Sequence, residues 1–321
     1  MPRARTVAAA ALVAVVAATG GVVVALSRGG VDLPGNEYCE AVVGDDTARL
    51  DPEQARYASL IAVLGVRRGL PARAVTIALA TAYQESKISN PKYGDRDSLG
   101  LFQQRPSQGW GTPAQVRDPV HATNAFYAAL EEVDGYRDLP VEVAAQRVQR
   151  SADGSAYAQH ESSARALASA LTGYSSASFT CVVATPPGTD QNPLPNGLTP
   201  AADAVRREVA AAFGRLPSGG YAPGGVSSGH SAGSAHYDGR AIDYFFRPVD
   251  TVNTRRGWAL AHFLVANAGR LGLATVIFDD RIWTAGRSSE GWRVYEPGTD
   301  AEDAGAQAVL RHLDHVHVDV A

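Results

Sequence analysis

The chain has 321 residues, of which 45% are hydrophobic and 19% are charged, so it is long enough for more than one domain and too apolar for a disordered chain. Its formal net charge is −4 and it has no strongly basic stripe, which gives no support to nucleic acid as a partner.

An uncharged apolar segment, residues 6–26, follows Arg3 and Arg5 at the N-terminus. About 20 apolar residues can span a bilayer as a helix, whereas the apolar core of a signal peptide has about 7–15. We therefore expect residues 1–26 to form a cytoplasmic N-terminus and a transmembrane signal anchor, with the rest of the chain outside the cell membrane. Secretion after signal cleavage is the alternative.

The next predicted region, residues 37–183, is helical. Asp51 is a typical N-cap and Pro52 suits the first helical position, and Pro71 opens a second, largely apolar helix. Further helices are expected around residues 120–133, 141–149 and 161–171. No part of this region has the pattern of an extended sheet, so we predict an all-α domain.

Two cysteines, Cys39 and Cys181, flank this region. An even cysteine count in an exported chain favours a disulfide, which would tie the two ends of the domain together. Two separate thiols are the alternative.

A segment rich in Pro, Gly, Asn and Thr, residues 184–200, has the composition of a linker. Beyond it, residues 201–321 combine an Ala-rich helix, Gly-rich loops, a second helix and short β-like runs. We predict an α+β domain with a small antiparallel sheet.

Candidate metal ligands occur twice in this second domain. His236 and Asp243 lie seven positions apart, and His315 and His317 alternate near the C-terminus, so that on a strand both would face one way. Two histidines and one carboxylate, with a fourth position open to water, suit a catalytic Zn²⁺, and a nearby carboxylate such as Asp314 can move the proton. A polar hairpin turn and a polar strand face are the alternatives.

The stretches "SAHYDGRAID" and "DHVH" resemble the zinc-binding signature shared by D-Ala-D-Ala carboxypeptidases, phage endolysin peptidases and the hedgehog signalling domain. The resemblance implies that His236, Asp243 and His317 are zinc ligands, that Asp314 is the catalytic base and that His315 helps electrostatically. The hedgehog domain keeps the metal fold while acting in signalling.

A second candidate site lies around Glu85, at the end of an apolar helix. A half-buried carboxyl group can act as the general acid of glycoside cleavage, although a Glu that merely ends a helix is the alternative. The stretches "QES" and "GDRDSLGLFQQRP" resemble the lysozyme-like soluble lytic transglycosylases, which implies a lysozyme-like domain with Glu85 as the acid/base. Expected near bound glycan are Ser86, Gln103, Gln104 and Tyr157. The family's later "YNAG" segment is replaced here by "QRSADGSAYAQH", and Asp95 or Asp97 would supply a second carboxylate for hydrolysis.

Together these observations predict a multi-domain, exported, membrane-anchored peptidoglycan hydrolase with a Zn²⁺ cofactor, whose partners are peptidoglycan and the cell membrane. It would cleave glycan strands, stem peptides or both. One alternative is a non-enzymatic wall-binding or scaffold protein built on two degenerate hydrolase folds. Another is an active peptidase whose first domain binds glycan without cleaving it.

Overall fold

The structure is a computed structural model that describes residues 37–151, 154–188, 191–298, 301 and 303–321. No helix in these residues is both long and apolar enough to cross a bilayer. The predicted anchor, residues 6–26, lies outside the described residues. The predicted fold class was a membrane helix followed by an all-α domain and an α+β domain. It is wrong on two counts: no described helix could span a bilayer, and the first region contains a sheet.

The described helices follow the predicted starts closely. In the first, Asp51 accepts a hydrogen bond from the Gln54 amide at 2.8 Å, while the Gln54 side chain accepts one from the Asp51 amide at 2.9 Å. This reciprocal cap, with Pro52 at the first helical position, fixes where the helix begins. The helices are α1 (Pro52–Arg67), α2 (Ala72–Ser86), α3 (Pro113–Arg117), α4 (Pro119–Glu131), α5 (Val141–Gln149), α6 (Glu161–Leu171), α7 (Pro200–Phe213), α8 (Thr251–Ala266), α9 (Ala268–Leu271) and α10 (Ala304–Leu310).

The first region is not all-α, because it contains a three-stranded antiparallel sheet. Its strands, β1 (Tyr38–Val43), β2 (Asp46–Leu50) and β3 (Phe179–Val182), lie in the order β2-β1-β3. A two-residue turn at Gly44, which has a positive φ, joins β1 to β2. The helical prediction failed here because each strand is short, and β3 joins the sheet from the far end of the region.

The predicted disulfide lies in this sheet. Cys39 on β1 is paired in register with Cys181 on β3, and the two are joined by a disulfide that spans 142 positions of sequence. Both cysteines are buried. The bond therefore fixes the strand that returns from the end of the helical region against the strand that starts it.

The second region holds a larger sheet than predicted. Its six antiparallel strands are β4 (Ser218–Gly219), β5 (Ala241–Phe245), β6 (Leu273–Phe278), β7 (Arg281–Thr284), β8 (Arg293–Val294) and β9 (His315–Val320), in the order β4-β5-β9-β6-β7-β8. Helix α8 is buried along most of its second half. The neighbouring strands β5 and β9 carry two of the candidate metal ligands, Asp243 and His317, and the third, His236, lies in the loop before β5.

Residues Glu37–Ala321 form one compact unit. Side chains from the second region donate hydrogen bonds to backbone carbonyls of the first: Trp292 Nε1 to Phe179 at 2.8 Å, Trp283 Nε1 to Cys181 at 3.2 Å, and His262 Nδ1 to Ala170 at 2.7 Å. The regions on either side of the predicted linker therefore pack directly against one another.

Candidate functional site

His236 is oriented by a backbone carbonyl in the loop after β4. Its Nδ1 lies 2.8 Å from the carbonyl oxygen of Gly220, which can only accept, so Nδ1 carries the proton and donates. In the neutral ring the lone pair is then on Nε2. Gly220 has a φ of +79°, and a Cβ there would lie 2.3 Å from His236 Cε1, so the close approach requires glycine.

Asp243 and His317 face each other across adjacent strands. They are paired in register on β5 and β9, and Asp243 Oδ1 lies 3.0 Å from His317 Nδ1. The other ring nitrogen, Nε2, lies 3.3 Å from the Asp319 carboxylate, to which it donates. In the neutral ring, Nδ1 of His317 therefore also presents a lone pair toward Asp243.

Three donor atoms meet at this point. His236 Nε2 lies 3.1 Å from His317 Nδ1 and 3.2 Å from Asp243 Oδ1. Zinc bonds of about 2.0–2.1 Å at tetrahedral angles separate neighbouring ligand atoms by about 3.3 Å. The spacing and chemistry of His236, Asp243 and His317 therefore fit a tetrahedral zinc site with one further position.

The electrostatics of the site also favour a cation. Burial disfavours charge on His317, but the carboxylates of Asp243 and Asp319 outweigh it and raise the pKa of His317 to about 9. Burial also opposes ionisation of Asp243. When the facing nitrogens of His236 and His317 are protonated, they donate hydrogen bonds to this carboxylate and hold the pKa of its carboxyl group far below the usual value. Positive charge is thus stabilised where the three donor atoms meet.

Asp314 and His315 form a second pair beside the three donors. Asp314 lies immediately before β9, and His315 links it to the donor atoms, because His315 Nε2 lies 3.8 Å from Asp243 Oδ1. Its carboxylate accepts from His315 Nδ1 at 2.7 Å and from Arg247 Nε at 2.6 Å. Burial raises the pKa of Asp314, but these two hydrogen bonds outweigh burial and lower it, which keeps the group ionised at neutral pH.

Two histidines near this centre were not predicted. The ring of His230 stacks on that of His236, with centroids 3.9 Å apart, and the hydroxyl of Tyr237 donates to the His230 carbonyl at 2.6 Å. A ring nitrogen of His230 lies within 4.8 Å of donor atoms on His236 and Asp243. In the sequence, the only indication that His230 belongs to the site was its position in a Gly/Ser-rich run six residues before His236.

The other unpredicted histidine, His312, packs its ring against those of His315 and Tyr295, with centroids 4.5 and 4.9 Å apart. Burial first, and then the neighbouring histidines, lower the pKa of His312 to about 3. The five histidines named so far in this subsection line a cleft of about 1000 Å³. Other residues on its wall are Phe245, Arg247, Tyr295 and Leu310. Its size is ample for a short peptide.

Glu85 lies one residue before the end of α2, as predicted. The hydroxyl of Tyr157, in the 3₁₀ segment Ser155–His160, donates to Glu85 Oε1 at 2.6 Å. Burial and the neighbouring carboxylate raise the pKa of Tyr157, so the phenol remains a donor. The structure thus brings together two of the residues assigned to the glycan site.

The other predicted glycan residues bond to the backbone. Ser86 Oγ donates to the Leu101 carbonyl at 2.7 Å, and Gln103 Nε2 donates to the Gly100 carbonyl at 3.1 Å. Gln104 is only 2% exposed and donates to the Ala122 carbonyl at 3.1 Å, so its side chain lies in the core and not in a groove.

The two candidate second carboxylates differ in their surroundings. Asp97 accepts from the Ser107 amide at 2.8 Å and from Arg105 Nε at 2.6 Å, and these bonds hold the pKa of its carboxyl group far below the usual value. The side chain of Asp95 is 92% exposed. Asp97 is therefore committed to the loop that it stabilises.

Comparison with known proteins gives one partial match. Residues 195–305 are similar to the family described as VldE, C-terminal domain. The match covers about a third of the chain and includes His236 and Asp243, but it ends before Asp314, His315 and His317. A search of curated proteins finds no match.

Proposed function

We propose that this chain is an exported peptidoglycan hydrolase whose histidine-lined cleft cleaves stem peptides with the help of zinc. The observation that carries the proposal is the convergence of donor atoms on His236, Asp243 and His317, 3.0–3.2 Å apart. The carboxylate of Asp314 is linked to them through His315, whose Nε2 lies 3.8 Å from Asp243 Oδ1. The disulfide supports export, because such bonds persist in oxidising compartments.

The residues that would hold the metal and the carboxylate of Asp314 have separate roles in this proposal. His236, Asp243 and His317 would hold the zinc ion, which would supply a bound water molecule with a pKa of about 7 and a Lewis acid for the carbonyl group of the substrate. Asp314, ionised through its bonds to His315 and Arg247, accepts the proton of the attacking water and returns it to the leaving amine.

Glycan cleavage at Glu85 is the second candidate activity. Tyr157 orients the carboxyl group through Oε1, while Oε2 has no hydrogen-bond partner among the described residues. That leaves one oxygen available to a glycosidic oxygen. Because Asp97 is bound by Arg105 and Ser107, hydrolysis with two carboxyl groups would have to use the exposed Asp95, whereas a transglycosylase reaction needs only Glu85.

Mass spectrometry of digested peptidoglycan separates these activities. We expect the wild-type protein to release both shortened stems and anhydro-sugar ends. The variant Glu85→Gln should lose only the sugar product, and His236→Ala should lose only the peptide product together with bound zinc, measured by elemental analysis. Retention on peptidoglycan without either product would contradict the enzyme and favour the binding or scaffold alternative.

A further inference from the structure

A cavity lies on the side of β5 that faces away from the histidines. Successive residues of a strand point to opposite faces, so Asp243 faces the metal ligands while Tyr244 faces the other way. The cavity has a volume of about 370 Å³. Its walls are the end of α7, the turn that follows and strand β4.

The residues that line this cavity carry a net positive charge. Two arginines, Arg206 and Arg215, line the cavity, and none of the described residues that line it is Asp or Glu. The charge of Arg206 is balanced by Asp203 at 2.7 Å. Arg215 is exposed and has no ion pair with any residue in the described part of the chain. The cavity therefore has an excess positive charge.

Three described hydroxyl groups line the cavity, and one of them has no hydrogen-bond partner among the described residues. Ser218 and Tyr221 hydrogen-bond to each other at 3.2 Å. Tyr244 is only 2% exposed, and its buried hydroxyl has no partner among the described residues. A buried polar group without a partner is costly, so such a group calls for an explanation. An acceptor atom of a ligand would satisfy it.

We propose that this cavity binds a small organic oxyanion, a carboxylate or phosphate carried on an apolar body. Arg215 supplies the unbalanced charge, Tyr244 donates a hydrogen bond to the anion, and Val209 and Leu216 contact the apolar part. The site is separate from the metal centre and does not depend on the proposed hydrolase activity.

Calorimetric titration with benzoate and with phenyl phosphate tests the proposal and distinguishes the two anion classes. We expect the wild-type chain to bind at least one probe. Tyr244→Phe and Arg215→Gln should each weaken that binding about tenfold or more, because each removes a charge-assisted contact. Tyr244→Phe keeps the ring in the core, so loss of the fold is not expected to obscure the result.

Two variants serve as controls. Arg256→Gln removes an exposed arginine that does not line the cavity, and His236→Ala alters the histidine cleft, the other place where an anion could bind through a metal. Both should keep the wild-type affinity for the probe. The proposal is overturned if neither probe binds, if Tyr244→Phe and Arg215→Gln bind as tightly as wild type, or if His236→Ala abolishes binding.

Discussion

Gly220→Ala tests whether the orientation of His236 controls metal binding. The added Cβ would lie 2.3 Å from His236 Cε1 and 2.5 Å from its Nδ1. Because non-bonded carbon atoms prefer about 3.5 Å or more, the ring or the backbone must move by about 1 Å. That movement would weaken the hydrogen bond from Nδ1 to the Gly220 carbonyl and turn the Nε2 lone pair away from Asp243 and His317.

The expected magnitude follows from the role of that carbonyl. Removing a partner that orients a metal ligand lowers metal affinity by about 10- to 100-fold. A Cβ in the left-handed region also costs about 1–2 kcal/mol of folding free energy. Gly224→Ala separates the two effects. Gly224 has a φ of +82°, but no atom of the described part of the chain lies within 4 Å of the added Cβ.

Zinc affinity would be measured by competition with a chelating dye, and the free energy of unfolding by urea titration. Both variants should lose at least about 1 kcal/mol of stability, and only Gly220→Ala should lose zinc affinity. If the two variants bind zinc equally well, the argument that Gly220 positions His236 is refuted.

Three further predictions concern separate parts of the chain. Asp314→Ala should keep zinc and lose stem-peptide hydrolysis by about 10²- to 10⁴-fold, because a general base is removed and no ligand is lost; loss of zinc from the same sample would make Asp314 a ligand. Replacing both Cys39 and Cys181 with Ser should lower the unfolding free energy by about 4–5 kcal/mol on the chain-entropy estimate, since a long loop is released; unchanged stability in urea would contradict this. Burial lowers the pKa of His262 to about 4. Its pKa in the unfolded chain is about 6.5, so as the pH falls the unfolded chain takes up a proton before the folded chain does. The free energy of unfolding should therefore fall by about 3 kcal/mol between about pH 6.5 and pH 4. The pH dependence should be shallower in His262→Gln, and identical slopes would count against this assignment.

The close approach of the three candidate metal ligands was predictable because their signals are local. His236 and Asp243 lie in one short stretch and His317 in another, and strand pairing brings the two stretches together. Whether a polar side chain points to solvent or into the core is not predictable in the same way. Gln104 has the same polar character whether it faces solvent or, as here, the Ala122 carbonyl in the core, so its residue type could not reveal its burial.

The elements that the sequence did not reveal depend on contacts between distant residues. Strand β3 has only four residues and pairs with β1 across the whole helical region, so no periodic pattern marks it. His230 reaches His236 through a glycine-rich loop whose path is set by its bond to Tyr237. The sequence therefore predicted which candidate ligands come together better than it predicted the structure around them.

Strand β3 is one of the two outer strands of its sheet, and the second region covers it. Trp283 and Trp292 donate to its carbonyl groups, and the hydroxyl of Ser288 bonds to the backbone of Val183 just beyond it. An uncovered outer strand offers a template on which other chains can add strands. Excising residues 37–183 as a fragment would bare this edge, so the fragment should self-associate even where the intact chain stays monodisperse.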